Sequence, residues 1–356
     1  TARLLRHGAG AEIASLGELR LAIAAGHDPA TLRFAGPGKT VAEITRAIEL
    51  GLGCFHLESA DELATIAAAA AGRDRRVGVA VRVNLPGELA GSRLRMGGRS
   101  SRFGVDAEQV PALLGTIAGT EAVELRGLHV YGGTQCFEAA AFVRQATELV
   151  ERAAEWEREL GLRLDELDLG GGFGVATYVG DPEFDLDAAG RGVRALIAAH
   201  DRPGRRWFVE LGRYLVATAG IYLTRVVRTK TSGGERHVVI DGGLHQCAMA
   251  AGAGTVLKRP PLLVHAGAVA SAARQPVTVG GPLCTSADQL AAGVELPPLA
   301  AEDLLAVLHA GAYGRTYSPT AFLSHPSPAE VLVEDGKPTL VRRRADEAEV
   351  LRDQLP

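Results

Sequence analysis

Three consecutive glycines, Gly170, Gly171 and Gly172, close an apolar stretch at 164–169, and a second stretch at 206–209 closes on Glu210-Leu211-Gly212-Arg213. A glycine turn lets several backbone N–H groups approach an anion at once, because no Cβ stands in the way. Each stretch therefore ends in a turn suited to a phosphate, and the second adds a carboxylate. A phosphorylated ligand whose ring nitrogen wants a negative partner would suit this pair. The competing reading is plain turn formation for the glycines and a surface ion pair for Glu210. Cys284 sits in the turn Gly281-Pro282-Leu283-Cys284, and its bland reading is a small buried hydrophobe.

Composition narrows the classes. The chain has 356 residues, 47% hydrophobic and 22% charged, with a net charge of -4; that is enough for one large core and a smaller second one. All but four of the 38 cationic residues are arginine, but the acidic balance offers no basic face for nucleic acid or anionic lipid. No apolar run reaches the ~18 residues of a membrane span. Cys54, Cys136, Cys247 and Cys284 lack CxxC spacing, so neither a metal site nor a disulfide framework is indicated, and a cytoplasmic location is expected.

Before residue 215, short apolar runs at 11–14, 31–35, 54–57, 77–83, 125–131, 164–169 and 207–209 alternate with helical segments such as 41–50 and 139–159. These make seven β/α units, and a closed parallel barrel needs eight. Residues 1–8 read as a helix, which places the expected first strand upstream of Thr1. After Leu215 the pattern changes to β-prone runs at 216–229, 237–241 and 276–279, a Ser232-Gly233-Gly234 hairpin turn and a helical tail at 344–351. The expected architecture is α/β, a (β/α)8 TIM barrel over 1–214 that lacks its first strand here, followed by a β domain over 215–356.

Six segments in order carry a resemblance: Gly127–Gln135 (GLHVYGGTQ), Leu167–Gly174 (LDLGGGFG), Glu210–Arg213 (ELGR), Asp241–Gly243 (DGG), Gly281–Asp288 (GPLCTSAD) and Gly311–Gly314 (GAYG). Together they resemble the signatures of the barrel-fold, pyridoxal-phosphate-dependent decarboxylases, the class of diaminopimelate and ornithine decarboxylases, whose second domain is like the C-terminal domain of alanine racemase. The resemblance implies pyridoxal 5'-phosphate as cofactor, with Glu210 paired to the pyridine nitrogen. It implies that Gly171, Gly172, Gly212, Arg213 and Tyr313 hold the phosphate, that Arg82 lines the pocket and that Tyr131 stacks on the ring where the family commonly has histidine. It also implies a homodimer in which Cys284 reaches the partner's site and protonates the α-carbon after decarboxylation. Strand-end arginines such as Arg82 are also often only structural. Alanine racemase itself places an arginine at the ring nitrogen, and Glu210 argues against that reading.

Two departures bear on function. Thr285 follows Cys284 where basic-amino-acid decarboxylases carry an Asp or Glu for the substrate's distal amine, and a neutral hydroxyl cannot replace a carboxylate that pairs a buried ammonium. The stretches after Gly243 and after Tyr317 resemble a natural-product subgroup that includes a decarboxylase of carrier-bound glutamyl thioester, with His245 a candidate substrate contact. The family's Schiff-base lysine is expected upstream of Thr1, and Lys39, in a tight loop, reads as structural. The function expected is α-decarboxylation of an amino acid or aminoacyl thioester. The alternatives are a diaminopimelate, ornithine or lysine decarboxylase and, from another class, a non-catalytic regulator of decarboxylase ancestry.

Overall fold

The computed structural model describes residues 2–352 and 354, apart from 74, 88, 90, 96, 99, 254–258 and 268–272. Lys258 therefore lies outside the described residues. Two compact units are formed, Thr1–Gly174 with Phe184–Leu211, and Val175–Glu183 with Gly212–Pro356.

In the first unit seven strands pair in parallel, each with the next in the chain: β1 (Glu12–Ile13), β2 (Arg33–Phe34), β3 (Cys54–Leu57), β4 (Val77–Asn84), β5 (Val123–His129), β6 (Glu166–Gly171) and β7 (Arg206–Glu210). A short strand at Val105–Asp106 adds to β4. All residues of β3, β4 and β6 are buried, as expected of a parallel sheet covered on one face by helices and filled on the other by its own side chains. The connecting helices follow sequence punctuation. Thr40 and Glu43 form a reciprocal capping box at the start of Val41–Glu49, Ser59 caps Ala60–Ala70, and the long helix Ala139–Leu160 stops at Gly161 in a left-handed conformation. The barrel-type parallel sheet is thus the architecture that the alternating pattern implies.

The second unit is built on a six-stranded sheet. Its strands are β8 (Tyr222–Ser232), β9 (Glu235–Ile240), β10 (Leu263–His265), β11 (Gln275–Gly280), β12 (Gln289–Leu296) and β13 (Leu304–Val307), with spatial order β10-β13-β8-β9-β11-β12. The β8–β9 hairpin turns at Gly233 and Gly234, both at positive φ, the backbone that a tight two-residue hairpin requires. A separate hairpin joins β14 (Glu330–Glu334) and β15 (Lys337–Arg342). Val226, Val238, Ile240, Val277, Val279 and Leu305 form the centre of the core.

Two expectations are corrected here. The β-prone run at 216–229 becomes strand only from Tyr222, after a short helix at Gly212–Val216 and a 3-10 turn at Ala217–Ala219. Close packing punctuates it, since a Cβ on Gly220 would lie 2.2 Å from Gly311 Cα. The tail expected as a helix at 344–351 is a 3-10 turn at Glu347–Leu351, which Asp346 caps by accepting from the amides of Ala348 and Glu349.

Candidate active site

The glycine turn after β6 tolerates no side chain. A Cβ on Gly171 would sit 1.8 Å from the carbonyl oxygen of Glu210, and one on Gly172, at φ +78°, 2.0 Å from that of Gly133. The absent side chains let the backbones of the neighbouring strand and loop close directly on the turn.

Inside the first unit the barrel strands bring together polar groups from separate positions in the sequence. His129, at the end of β5, places Nε2 3.3 Å from both carboxyl oxygens of Glu210 at the end of β7. The His129 ring stacks on His56 of β3, with centroids 4.2 Å apart, and His56 Nδ1 lies 3.1 Å from Glu12 Oε1 of β1. Burial, reinforced by the Asp168 and Glu12 carboxylates, pushes the Glu210 carboxyl well above the usual range. Burial also raises Glu12, but its hydrogen bond to His56 and that ring's charge outweigh burial and hold it below the usual range. Burial drives His129 well below the ordinary imidazole value, so its ring is neutral. Asp168 accepts from the Gly170 amide at 3.0 Å and is raised to about 6, mainly by burial. The arrangement is a line of two hydrogen-bond contacts joined by a ring stack.

Arg82 is buried on β4, and its Nη1 donates to Glu58 Oε1 at 2.8 Å. Its guanidinium carbon lies 6.0 Å from the Tyr131 ring centroid, and the two residues line one cleft with Phe103 and Gln145. Lys39 is fully engaged. Its Nζ pairs with Glu62 at 2.8 Å and donates to the carbonyls of Gly36 at 2.6 Å and His56 at 2.9 Å.

In the second unit, Gly212 opens the short helix Gly212–Val216, and a Cβ there would meet nothing within 4 Å. The Arg213 guanidinium carbon lies 4.5 Å from the ring centroid of Tyr313, whose backbone is held at φ 54°. Cys284 is exposed, and its turn is organised by a residue that the motif reading passed over. Buried Asp288 accepts from the Leu283 amide at 3.0 Å and the Leu244 amide at 2.6 Å. Gly243 and Gly281 make room for that carboxylate, since a Cβ on either would approach it to 2.2 Å. Thr285 Oγ1 accepts from the Ala287 amide at 3.2 Å, inside the same turn. His245 follows Leu244 directly, is fully buried, and neither ring nitrogen has a hydrogen-bond partner among the described residues. Its ring centroid is 4.9 Å from that of His325. Burial, and then His325, lower its pKa, and Asp288 opposes this only in part.

Glu12, His56, His129 and Asp288 were not singled out as site residues from the sequence. The available signal was the one histidine of the buried strand Cys54–Leu57, for His56, and membership of the quoted segments Gly127–Gln135 and Gly281–Asp288, for His129 and Asp288; nothing in the sequence marks Glu12.

With the barrel sheet and this strand-end chemistry described, residues 2–217 match the pyridoxal-binding domain of the pyridoxal-dependent decarboxylases, and the chain belongs to that family. It is accordingly a pyridoxal-phosphate-dependent decarboxylase, a carbon–carbon lyase. An L-glutamyl-[BtrI acyl-carrier protein] decarboxylase of Niallia circulans is 33% identical over 99% of this chain and 84% of its own length. A diaminopimelate decarboxylase of Zymomonas mobilis is 30% identical over 99% and 82%. Among solved structures, a diaminopimelate decarboxylase of M. jannaschii superposes with a TM-score of 0.90 at 26% identity, covering 100% of this chain and 82% of that one. Among the described residues no helix is long and apolar enough to cross a membrane.

The residues present fit the cofactor. Buried Glu210 Oε1 accepts no hydrogen bond from a described donor, as a partner for a protonated ring nitrogen should.

Proposed function

We propose that the chain removes the α-carboxylate from an amino acid whose distal end is an uncharged acyl group, free or borne on a carrier protein, and that it works as a homodimer in the cytoplasm. The observation that carries this reading is the commitment of Asp288 to two backbone amides. No carboxylate beside Cys284 is left for a distal ammonium among the described residues, and an unpaired buried ammonium would cost several kcal/mol. His245, neutral and without a hydrogen-bond partner among the described residues, suits a carbonyl or thioester instead. The relative that acts on carrier-bound glutamate supports the same choice.

Pyridoxal phosphate, when bound, supplies the electron sink for the pair left behind as carbon dioxide departs. Gly171, Gly172, Gly212, Arg213 and Tyr313 would hold its phosphate by amides, a guanidinium and a phenol. Glu210 would pair with the ring nitrogen, Tyr131 would cover a ring face, and Arg82, fixed by Glu58, would line the cleft. Cys284 of the partner chain would give its thiol proton to the α-carbon and become a thiolate.

The test is carbon dioxide release from a panel of free amino acids and carrier-loaded aminoacyl thioesters. Release from a glutamyl thioester or a free amino acid with a neutral distal end supports the reading. Efficient release from free lysine, ornithine or diaminopimelate would replace it with that of a basic-amino-acid decarboxylase.

A further inference from the structure

We infer that Glu12, His56 and His129 are positioning residues for Glu210, holding its carboxyl in place for the ring nitrogen of the cofactor. The inference rests on the assignment of Glu210 as that nitrogen's partner. Four strands contribute one group each, and the contacts form a line: Glu12 to His56 at 3.1 Å, His56 stacked on His129 at 4.2 Å, and His129 to Glu210 at 3.3 Å.

Neutral His129 has one N–H. Its Nδ1 is buried without a partner among the described residues and its Nε2 faces Glu210, which assigns the hydrogen to Nε2. A single N–H donated to Glu210 Oε2 biases the rotation of that carboxyl and leaves Oε1 free of described donors, and the stack on His56 fixes the ring that carries it. Glu12 and Glu210 bring carboxyl oxygens within 4.8 Å of one another. Two carboxyls so placed cannot both ionise cheaply, so one of them keeps a proton. The opposite directions of the two shifts put it on Glu210. When the ring nitrogen's lone pair takes this proton, Glu210 becomes a carboxylate, the N–H then donates to it, and no other bond changes. The charged and titratable groups around the line are Arg82 from β4, Asp168 from β6 and Lys39 from the loop after β2.

The experiment uses the full-length chain and three readouts: the pH profile of the bound cofactor's absorbance, the Kd of pyridoxal phosphate for stripped protein, and the split between kcat and KM. His129→Phe keeps a stacking ring but removes the N–H. It should weaken cofactor binding about tenfold, displace the pH profile and lower kcat with KM unchanged. His129→Gln, which restores an N–H, should recover most of each, and Glu12→Gln should displace the pH profile while leaving the fold intact. If His129→Phe and Glu12→Gln both keep the wild-type pH profile, with affinity within about twofold, the inference is overturned; the same holds if Phe and Gln at 129 behave alike. Glu210→Gln separates the two levels. Wild-type turnover and absorbance in that variant would remove the assignment of Glu210 itself, whereas loss there with no effect at 129 and 12 removes only the positioning chain.

Discussion

Asp168 should cost the folded barrel stability at neutral pH, and Asp168→Asn should recover it. Its carboxyl is buried between the Gly170 amide and the other acids of the barrel interior, and its pKa rises from 3.8 to about 6, chiefly through burial. The folded state therefore binds the proton more tightly than the unfolded chain. The stability that this proton brings is complete below pH 3.8 and is lost as pH rises through 6. The displacement corresponds to about 3 kcal/mol at 1.36 kcal/mol per pH unit, as a ceiling, because Glu12 and Glu210 adjust their own ionisation in response. Asparagine keeps an oxygen for the Gly170 amide and carries no charge. In cofactor-free protein at pH 8 the variant should melt higher than wild type, by roughly 6–12 °C for a unit of this size, and the gap should close toward pH 4. Thermal unfolding followed by circular dichroism at several pH values measures it. A gap of equal size at pH 4.5 and pH 8 would show that packing, not ionisation, is responsible and would refute the reasoning.

Thr285→Asp should raise decarboxylation of at least one of lysine, ornithine and diaminopimelate above the low wild-type rate, since it adds the missing partner for a distal ammonium; unchanged rates on all three would return Thr285 to a purely turn-forming role. Mixing a Glu210→Ala chain with a Cys284→Ala chain should restore about a quarter of wild-type activity, because half the dimers are mixed and each has one intact site. No recovery after verified subunit exchange would mean that each site is built from one chain.

The parallel barrel was legible because its strands are short and its central ones, β3, β4 and β6, are buried along their whole length, so they stand out from the amphipathic helices between them. Gly170 to Gly172 and Glu210 were legible for a related reason: a glycine turn at a strand end has few chemical uses. The Glu12, His56, His129 chain was not legible, because parallel pairing joins residues whose separations in sequence carry no signal. In the second unit, β12 and β13 escaped notice because their burial alternates weakly, and the run before Tyr222 has strand-like composition that close glycine packing overrides. Asp288 lies within the Gly281–Asp288 segment, but its role is not legible there, because it depends on the Leu244 amide of another loop.

That buried carboxylate has a consequence for how specificity can change. By gripping the Leu244 and Leu283 amides together, Asp288 welds the loop before His245 to the loop before Cys284 and Thr285. Neither loop can drift to accommodate a new side chain without losing a buried hydrogen bond. Substrate preference is then free to diverge by exchanging the side chains at 245 and 285 on a fixed mounting, while the thiol that must meet the α-carbon stays in register. Substitutions at these two positions should accordingly show epistasis, and a neutral step at one is a plausible gate for a gain at the other.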